Sequence, residues 1–511
     1  MLVYLIFFYN NLFINIIKMS KENFDFIIIG AGPSGITFAT LCALNDIKVL
    51  LIEKEESIGG CHRVNRILDK KVNEYLFSEH GPRVYSSSFL NFKKILKMIG
   101  INFYDYFVPY KFNSLELVNK SLLNIFTLRE SLILFYNLIS FKKNISMKQL
   151  MEENNFSDKS KDFIDGLCRI TDGAGYDKYS LYQLQKLVNQ QSLYGMYQPK
   201  KNLDKGLFKY WYNFLTNTKN VDIKLMTEIT NCDTSSSKDL LKIIDTNNNI
   251  YYGKKLIIAC PPLSVINIIK KINIPDAFGD LNKLENFSKE SAYLEYIPII
   301  FHWDKKIEIP SIWDFPPTSE WKIAFTILSD YMEFEEKSSK TVLSTLITKT
   351  NYKSSYLNKD ANNCSKEELI SETFRQLNLL NLNLPQPTES IISPNVYKDE
   401  INNIWKNKDT AFFNSVNLEK KYFKSDKYDN IYTLGTHNKN SNYYFTSFES
   451  AVSNAIVAFN ELELKDNEKK IKIETPIELF SIIYYFLIII ISYILIKLIT
   501  RNIYFDKEKF D

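Results

Sequence analysis

The sequence predicts an α/β fold in which a nucleotide-binding domain with a parallel sheet carries an inserted α+β region and a C-terminal transmembrane helix. Three observations predict this fold. Residues 24–29 form a short β-branched run that leads into a glycine-rich loop, residues 48–52 form a second apolar run that ends in an acid, and residues 479–496 contain no charged side chain. Short apolar strands separated by a helix are typical of a parallel sheet that is buried on both faces.

The loop after the first strand contains Gly30, Gly32 and Gly35 in G-x-G-x-x-G spacing. The first glycine allows a tight turn, the second lets the backbone approach a pyrophosphate, and the third permits close packing of helix on strand. Pro33 suits the first turn of the next helix, since its missing N–H is not needed there. That helix, from Ser34 to about residue 44, would direct its N-terminal amides at a phosphate.

Glu53 follows the second apolar run, at the end of the predicted strand. A carboxylate at this position can accept hydrogen bonds from both hydroxyls of an adenosine ribose, and it would repel a 2′-phosphate. Strand, glycine loop, helix, strand and acid together predict a dinucleotide site, with a plain βαβ turn as the alternative. Residues 172–175 also contain two glycines but no third and no preceding strand, so they predict a loop and no second dinucleotide site.

Composition and charge narrow the functional classes. The net charge of +4 is small for 511 residues and gives no electrostatic footprint for nucleic acid. The six cysteines are scattered without a C-x-x-C pair. This favours reduced thiols in a cytosol-like compartment over a disulfide framework or a zinc site. No metal site is therefore predicted.

A glycine pair, Gly59 and Gly60, follows Glu53, and Arg63 comes shortly after it. This arrangement resembles the flavin-containing amine oxidase superfamily, which includes amine oxidases, phytoene desaturases and protoporphyrinogen oxidases. The resemblance implies FAD as the cofactor and an arginine near its pyrophosphate. Here Cys61 stands at the usual position of that arginine and Arg63 two residues further on, so a surface cation is the alternative for Arg63.

Residues 79–85 resemble the segment of that superfamily that passes close to the flavin ring. The resemblance implies that Gly81 and Pro82 approach the cofactor, because glycine permits close backbone contact. Arg83 is the candidate catalytic residue, whose fork of donors would orient a carboxylate or carbonyl of the substrate, or contact the flavin edge. A tight turn with a solvated arginine is the alternative. His80 is ambiguous between a structural and a catalytic role.

Two later regions extend the resemblance. Ile229 matches the strand position that gives a main-chain contact to the adenine, and Gly435 and Thr436 match the segment near the pyrophosphate and the ribityl chain. Phe448 would begin the last helix of the domain, with its amide directed at the N1/O2 edge of the flavin. His437 replaces the usual acid, and no cysteine is available here for a covalent flavin link.

The region between these motifs matches the superfamily only in style. Helical periodicity extends over residues 88–198, including one helix predicted over 122–139, and residues 272–426 are rich in aromatic side chains. Strands predicted around 296–303 and 323–328 would floor a pocket lined by one or two of the aromatic rings. Amine oxidases carry a lysine on this sheet, and residues 296–302 contain none. This departure weakens the amine-oxidation interpretation.

The predicted domains are interleaved along the chain. Their boundaries are 1–23 for an apolar N-terminal extension; 24–90, 220–265 and 427–462 for a Rossmann-type FAD-binding domain; 91–219 and 266–426 for the substrate domain; 463–477 for a linker; and 478–500 for the transmembrane helix. The N-terminal extension fits a signal peptide poorly, because no basic residue precedes its apolar run. We expect translation to start at Met19, with an N-terminal anchor as the alternative.

The sequence thus predicts a membrane-anchored FAD oxidoreductase that takes a hydride from an amine or a desaturable C–H substrate. The membrane anchor suggests that this substrate is lipophilic. Reoxidation by O₂ or a quinone is expected, because no nicotinamide domain is visible. The reduced cysteines and the C-terminal anchor put the flavin domain on the cytosolic side. Two alternatives remain: a redox-neutral enzyme resembling UDP-galactopyranose mutase, whose Gly-Pro-His segment is similar to residues 81–83, and a flavin-binding scaffold without catalysis.

Overall fold

The structure is a computed structural model that describes residues 23–110, 122–140, 145–234, 240–309, 313–314, 319–416, 423–441, 446–464 and 470–507. The expected start at Met19 and the alternative of an N-terminal anchor lie outside these residues. The helices are α1 Pro33–Leu44, α2 Leu90–Met98, α3 Phe103–Tyr106, α4 Leu122–Ile125, α5 Leu128–Ile139, α6 Met147–Glu153, α7 Asp158–Asp172, α8 Leu181–Gln191, α9 Leu207–Thr216, α10 Pro262–Lys271, α11 Leu281–Glu290, α12 Lys366–Asn378, α13 Phe448–Leu462 and α14 Leu479–Lys507.

The strands are short, as expected from their apolar runs. They are β1 Asn23–Ile29, β2 Val49–Ile52, β3 Val64–Asp69, β4 Glu74–Glu79, β5 Tyr85–Ser86, β6 Phe107–Pro109, β7 Met196–Pro199, β8 Val221–Lys224, β9 Ile229–Asp233, β10 Leu241–Asp245, β11 Ile250–Ile258, β12 Ala292–Tyr293, β13 Ile297–Trp303, β14 Trp313–Asp314, β15 Ala324–Ile327, β16 Thr341–Ile347, β17 Glu389–Ile392, β18 Val396–Asp399, β19 Ile404–Asn407, β20 Phe412–Asn414 and β21 Ile431–Thr433.

The sheet that carries the glycine loop has seven strands in the order β8-β2-β1-β11-β10-β9, with β21 also paired to β11. Strands β8, β2, β1, β11 and β21 run parallel, whereas the β9-β10-β11 meander is antiparallel. Side chains alternate between the two faces: Phe26 and Ile28 join one core, and Ile27 and Ile29 join the other. The predicted buried strands and the hairpin over residues 240–250 are confirmed.

Helix α1 is buried almost all round, between the sheet and neighbouring helices. Its threonines satisfy their hydroxyls within the helix: Thr37 donates to Pro33 O and Thr40 to Ile36 O, each at 2.7 Å. Trp211 on α9 donates from Nε1 to Thr40 Oγ1 at 2.7 Å, and Ser34 Oγ donates to the carbonyl of Ala451 on α13 at 3.3 Å. The bond of Ser34 fixes the start of α1, where the predicted phosphate site lies, and the bond of Trp211 fixes its second half.

A second sheet of five antiparallel strands, in the order β14-β15-β16-β13-β17, forms the predicted floor of the substrate region. Strand β13 is buried along its whole length. Of its residues, His302 is held by Ser339 Oγ at 2.9 Å and Phe77 O at 3.1 Å, and Trp303 donates to Pro385 O. The two predicted strands agree with β13 and β15, and most of the aromatic rings form core, as expected.

The helical part of the substrate region differs from prediction at one point. The helix predicted over 122–139 breaks at Thr127 into α4 and α5. Thr127 and Glu130 form a capping box, in which Glu130 N donates to Thr127 Oγ1 and Thr127 N donates to Glu130 Oε2. This T-x-x-E signal satisfies the first amides of a new helix. The prediction of one helix was wrong because it used hydrophobic spacing alone.

Helix α14 is long and apolar enough to cross a membrane. Its stretch Leu479–Lys497 has a mean hydropathy of 2.6, and none of it is buried. By contrast, its first turn is attached to α8, because the carboxylate of Glu478 accepts from Lys186 at 2.9 Å and from Asn189 at 2.8 Å. The domain boundaries stay predictions.

Candidate functional site

A continuous cavity of about 980 Å³ lies between the seven-stranded sheet and the substrate region. It brings together residues from every predicted motif. The predicted site residues that line it are Gly30, Gly32, Pro33, Ser34, Glu53, Gly60, Arg63, Gly81, Pro82, Arg83, Ile229, Gly435, Thr436 and Phe448. Gly35 and Gly59, the other two predicted residues, lie behind this wall and shape the loop that forms it.

The three glycines of the loop have different surroundings. A Cβ at Gly30, whose φ is +102°, would lie 2.7 Å from Ala259 O, and a Cβ at Gly35 would lie 1.9 Å from Gly30 O. Neither position therefore admits a side chain. A Cβ at Gly32 would meet nothing nearer than Gly60 Cα at 3.8 Å, so this side of the loop is open space within the cavity. This open cradle fits a group that must approach the backbone closely.

The N-terminus of α1 supplies donors to that cradle. In the described chain, α1 has no acidic residue in its first turn and no side-chain cap on its N-terminal residue, Gly32. The first amides and the positive end of the helix dipole are therefore available to an anion. Pro33 begins the helix, as predicted. Gly59 has a φ of +117° and donates its amide to Ala31 O at 2.8 Å, which holds the glycine pair against the loop.

Glu53 ends the second strand and is buried with its carboxylate in the cavity wall. Oε2 accepts from Ala31 N at 2.7 Å and Oε1 from Glu55 N at 3.1 Å. Burial raises the pKa of Glu53, and the hydrogen bonds from Ala31 and Glu55 oppose that rise. A carboxylate fixed by two backbone amides at the strand end fits an acceptor for ribose hydroxyls.

Arg63 is only 5% exposed, so the alternative of a surface cation is wrong. Its Nη2 donates to Asp409 Oδ2 at 3.0 Å. His80 Nε2 lies 2.6 Å from the same oxygen. Burial by itself would raise the pKa of Asp409, but His80, Arg63 and Lys54 hold it well below its usual range. Burial lowers the pKa of His80 and outweighs the opposing effect of Asp409. The trio is therefore a buried Arg63–Asp409 ion pair with a neutral imidazole attached.

Sequence reasoning missed Asp409. Its partner Arg63 lies 346 positions earlier in the chain, and no motif surrounds it. The available sequence signal was His80, which precedes Gly81. A histidine buried at that position needs a hydrogen-bond partner. Nε2 of His80 lies between Asp409 Oδ2 at 2.6 Å and Asn395 Nδ2 at 2.8 Å, and whether its role is structural or catalytic stays a prediction.

The flavin-proximal segment enters the cavity as a close backbone approach. Gly81 has a φ of +146°, and a Cβ there would lie 2.8 Å from the side chain of Leu346 on β16. Arg83 donates from Nη2 to Cys61 O at 2.7 Å and lines the cavity. It is half-buried, which differs from the alternative of a solvated turn arginine. Its catalytic role stays a prediction.

The C-terminal segments complete the cofactor end. Gly435 N donates to Asn438 Oδ1 at 2.7 Å, and the ring of His437 packs on Gly435. Burial lowers the pKa of His437 to about 3, so this residue is neutral where the superfamily has an acid. Phe448 is the first residue of α13, as predicted, and its ring is 5.0 Å from that of His62. The amide end of α13 thus faces the cavity.

The other end of the cavity is a chamber walled by the five-stranded sheet and the helical region. Tyr296 at the start of β13 lines it, as does Leu346 on β16. A Cβ at Gly173 would lie 2.3 Å from Tyr296 Oη, so the glycine lets this loop approach the chamber. Of the loop predicted over residues 172–175, Gly173 to Gly175 are confirmed, whereas Asp172 is the last residue of α7. Helix α8 supplies Leu187 and Val188 to the wall.

The lysine expected of amine oxidases has no counterpart in this chamber. Lysines among the described lining residues are Lys54, Lys271 and Lys408, and none of the three belongs to the five-stranded sheet. His302 on β13 is turned away, toward Phe77 and Ser339. The absence predicted from residues 296–302 therefore holds for the described sheet.

Comparisons with known proteins agree with this architecture. The family model of the NAD(P)-binding Rossmann-like domain matches residues 28–99. Among solved structures, cyclohexylamine oxidase from Brevibacterium oxydans has a TM-score of 0.58 at 12% identity, over 86% of this chain and 100% of that chain. Putrescine oxidase bound to putrescine has a TM-score of 0.58 at 13% identity, over 86% of this chain and 99% of that chain.

Sequence comparison gives a different relative. UDP-galactopyranose mutase from Mycoplasma genitalium is 35% identical over 101 residues, which cover 19% of this chain and 24% of the mutase. The chain thus matches about a quarter of the length of that curated relative. Together the comparisons confirm the predicted Rossmann-type dinucleotide-binding domain, and they show that the overall fold is similar to that of cyclohexylamine oxidase and putrescine oxidase.

Proposed function

We propose that this protein is a membrane-anchored FAD-dependent oxidoreductase that takes a hydride from an amine or a desaturable C–H bond. The observation that carries the proposal is the single cavity that joins a backbone-built dinucleotide cradle to a largely apolar chamber. A redox enzyme needs this connection, because substrate and cofactor must meet in one enclosed space. Reoxidation by O₂ or a quinone is part of the proposal.

The residues present fit FAD. Gly32 and the start of α1 would hold the pyrophosphate, Glu53 the adenosine ribose, and Thr436 and the start of α13 the flavin end. When bound, FAD would supply a hydride acceptor to the chamber. The chain itself contributes binding, orientation and the exclusion of water by the sheet floor, which favours hydride transfer over hydrolysis.

Arg83 is the residue we propose to orient the substrate. It is half-buried in the cavity wall, with one nitrogen fixed by Cys61 O at 2.7 Å. A guanidinium held in this way presents the rest of its planar fork in a defined direction. An anionic or carbonyl-bearing substrate is the class that such a fork recognises.

The decisive experiment is anaerobic rapid mixing of the FAD-loaded protein with candidate substrates. An oxidoreductase should bleach the flavin spectrum with substrate alone, regain it on addition of O₂ or a quinone, and need no NAD(P)H. Turnover that occurs only after reduction by an external reductant, with no net redox change, would overturn the proposal. If no amine or lipophilic C–H substrate produces either of these results, the catalytically inactive scaffold is favoured.

A redox-neutral enzyme similar to UDP-galactopyranose mutase is the second candidate. The 35% identity to that mutase over 101 residues favours it, as does the absence of a lysine on the described five-stranded sheet. Incubation of pre-reduced protein with UDP-galactopyranose separates the two candidates, because only a mutase would give the furanose isomer under those conditions.

Helix α14 is the proposed anchor, with the flavin domain on the cytosolic side. An apolar stretch of this length can cross the hydrocarbon core of a bilayer. The scattered spacing of the six cysteines, without a C-x-x-C pair, favours a reducing compartment for the flavin domain. Residues 478–500 fused to a soluble reporter should resist carbonate extraction. A flavin domain that cytosolic protease cannot reach would contradict the proposed orientation.

A further inference from the structure

Helix α5 carries a row of large apolar side chains that no other described part of the chain covers. Leu128 is 72% exposed, Leu132 60%, Phe135 61%, Tyr136 60% and Ile139 40%. These positions recur at three- and four-residue spacing and therefore share one face of the helix. The opposite face packs into the helical core through Ile133, Leu134 and Leu138. We call the uncovered row the α5 stripe.

Outside α14, the α5 stripe differs from other exposed apolar residues of the described chain. Met226 and Ile401, for example, are 74% and 92% exposed, but each stands alone in a turn or loop. Single exposed apolar side chains are normal, whereas a contiguous apolar face marks an interaction surface.

Helix α5 is connected to the base of α14 through α8. Asn137 at the end of α5 accepts from Gln185 on α8 at 2.6 Å. A few residues further along α8, Asn189 donates to Glu478 at 2.8 Å and accepts from Phe480 N in the first turn of α14 at 2.7 Å. Helix α8 thus contacts both α5 and the first residues of α14.

The same connection reaches the cavity. Val188 and Gln191 of α8 line the chamber, and Tyr194 just after α8 does so too. Tyr194 Oη also accepts from Ile477 N, two residues before α14, at 2.7 Å. Leu193, between Gln191 and Tyr194, is 45% exposed. The wall of the substrate chamber is therefore hydrogen-bonded to the base of the apolar helix.

We propose that the α5 stripe lies in the headgroup region of the membrane that α14 crosses, so that the α8 wall of the chamber faces the lipid. The proposal rests on the proposed membrane anchor. A lipid surface is the chemistry that fits, since the stripe is aliphatic and aromatic and α5 is joined through α8 to the base of an apolar helix of membrane-spanning length. The substrate class that follows is a lipid-soluble molecule that reaches the chamber from the bilayer.

The test uses the full chain reconstituted in phosphatidylcholine vesicles with doxyl-labelled lipid. An NBD fluorophore is attached to a cysteine introduced as Phe135→Cys or, as a second variant, Leu132→Cys. Leu193→Cys reports the end of α8, and Met226→Cys is the matched exposed control. The six native cysteines are buried or partly buried, and the labelled wild-type chain gives their background. Retained flavin absorbance shows that each variant is folded.

We expect a blue-shifted emission at positions 132, 135 and 193, and doxyl lipid should reduce it to about half or less, while position 226 stays unquenched. An unquenched label at 132 and 135 in a chain that resists carbonate extraction overturns this proposal and leaves the anchor intact. A blue-shifted label that doxyl lipid does not quench means a protein cover, which also overturns it. A chain extracted by carbonate overturns both the anchor and this proposal.

Discussion

The two ends of the cavity are built in different ways. At the dinucleotide end the wall is backbone: the loop around Gly32, the first amides of α1, and the segment at Gly435. At the substrate end it is side chains from separate elements, such as Tyr296, Leu346 and Val188. A backbone wall tolerates no added atom, whereas side chains can repack around a change of volume. Substitutions should therefore abolish cofactor binding at the first end and alter rates or substrate choice at the second.

The largest effect is expected at the open glycine of the cradle. Gly32→Val should lower FAD affinity by more than about 100-fold, because its side chain would occupy the cradle. The fold should survive, since even a Cβ there has its nearest neighbour at 3.8 Å. The measurement is FAD content and titration of apoprotein by fluorescence.

The matched control is Gly35→Ala, whose Cβ would lie 1.9 Å from Gly30 O. This variant should lose the fold together with the cofactor, as seen by circular dichroism. A Gly32→Val protein that retains normal FAD affinity would contradict the idea that the pyrophosphate lies in this cradle.

The second effect concerns the Arg63–Asp409 ion pair in the cavity wall. Asp409→Ala removes the nearer acidic partner of the buried Arg63 and leaves it the partly exposed Glu55, whose Oε2 lies 3.8 Å from Nη2. Because unpairing a buried charge completely costs about 3–5 kcal/mol of unfolding free energy, the loss should be at most of that size. Urea unfolding of the FAD-loaded protein measures the loss. Glu335→Ala is the control, because its ion pair with Lys205 is largely exposed and an exposed pair contributes far less to stability. Equal losses in the two variants would mean that the Arg63–Asp409 pair is not desolvated.

The glycine cradle and the Arg63–Asp409 pair also differ in how far the sequence could predict them. The glycine loop and Glu53 were predictable because their constraints are local: a turn, a helix start and a strand end within a short stretch of chain. The apolar α14 was predictable because composition alone distinguishes a membrane-length helix. The FAD assignment came from motifs of the same local kind.

Asp409 and the α8 wall could not be predicted, since each depends on long-range packing. Arg63 meets Asp409 across 346 positions and Tyr194 meets Ile477 across 283. Hydrophobic periodicity identified a helical region but not which face stays uncovered, so the α5 stripe was also invisible. One local signal was available and overlooked, the capping box at Thr127 that begins α5.

The third effect is a pH dependence from Glu79, beside the flavin-proximal segment. Burial raises the pKa of Glu79 to about 7, against the opposing effects of Arg83 and Ser344. Because the unfolded chain releases this proton near pH 4.5 and the folded chain near pH 7, the folded state loses up to about 3 kcal/mol as pH rises through that window.

Glu79→Gln removes this titration. The variant should therefore gain stability relative to the parent as pH rises from about 5 to about 8, and thermal melts across that range measure the gain. Glu449, whose pKa burial also raises to about 7, titrates in both proteins and cancels in the difference. Glu461→Gln on the exposed surface is the control. A difference that is constant with pH would mean that Glu79 ionises normally in the folded protein.

The smallest expected effect lies at the substrate end, at Arg83. Arg83→Ala should slow flavin reduction about tenfold, which corresponds to about 1.4 kcal/mol of lost transition-state stabilisation. FAD affinity should change less, because the guanidinium bonds to Cys61 O and the backbone cradle is untouched. If Arg83 acts mainly in the transition state, kcat and kcat/KM should fall equally. Arg83→Lys keeps the charge but loses the planar fork, so it should restore little of the rate.

If the lysine variant reduces the flavin as fast as the parent protein, charge alone suffices and orientation by the fork is wrong. A loss of FAD affinity as large as the loss of rate would instead assign Arg83 to the dinucleotide end of the cavity.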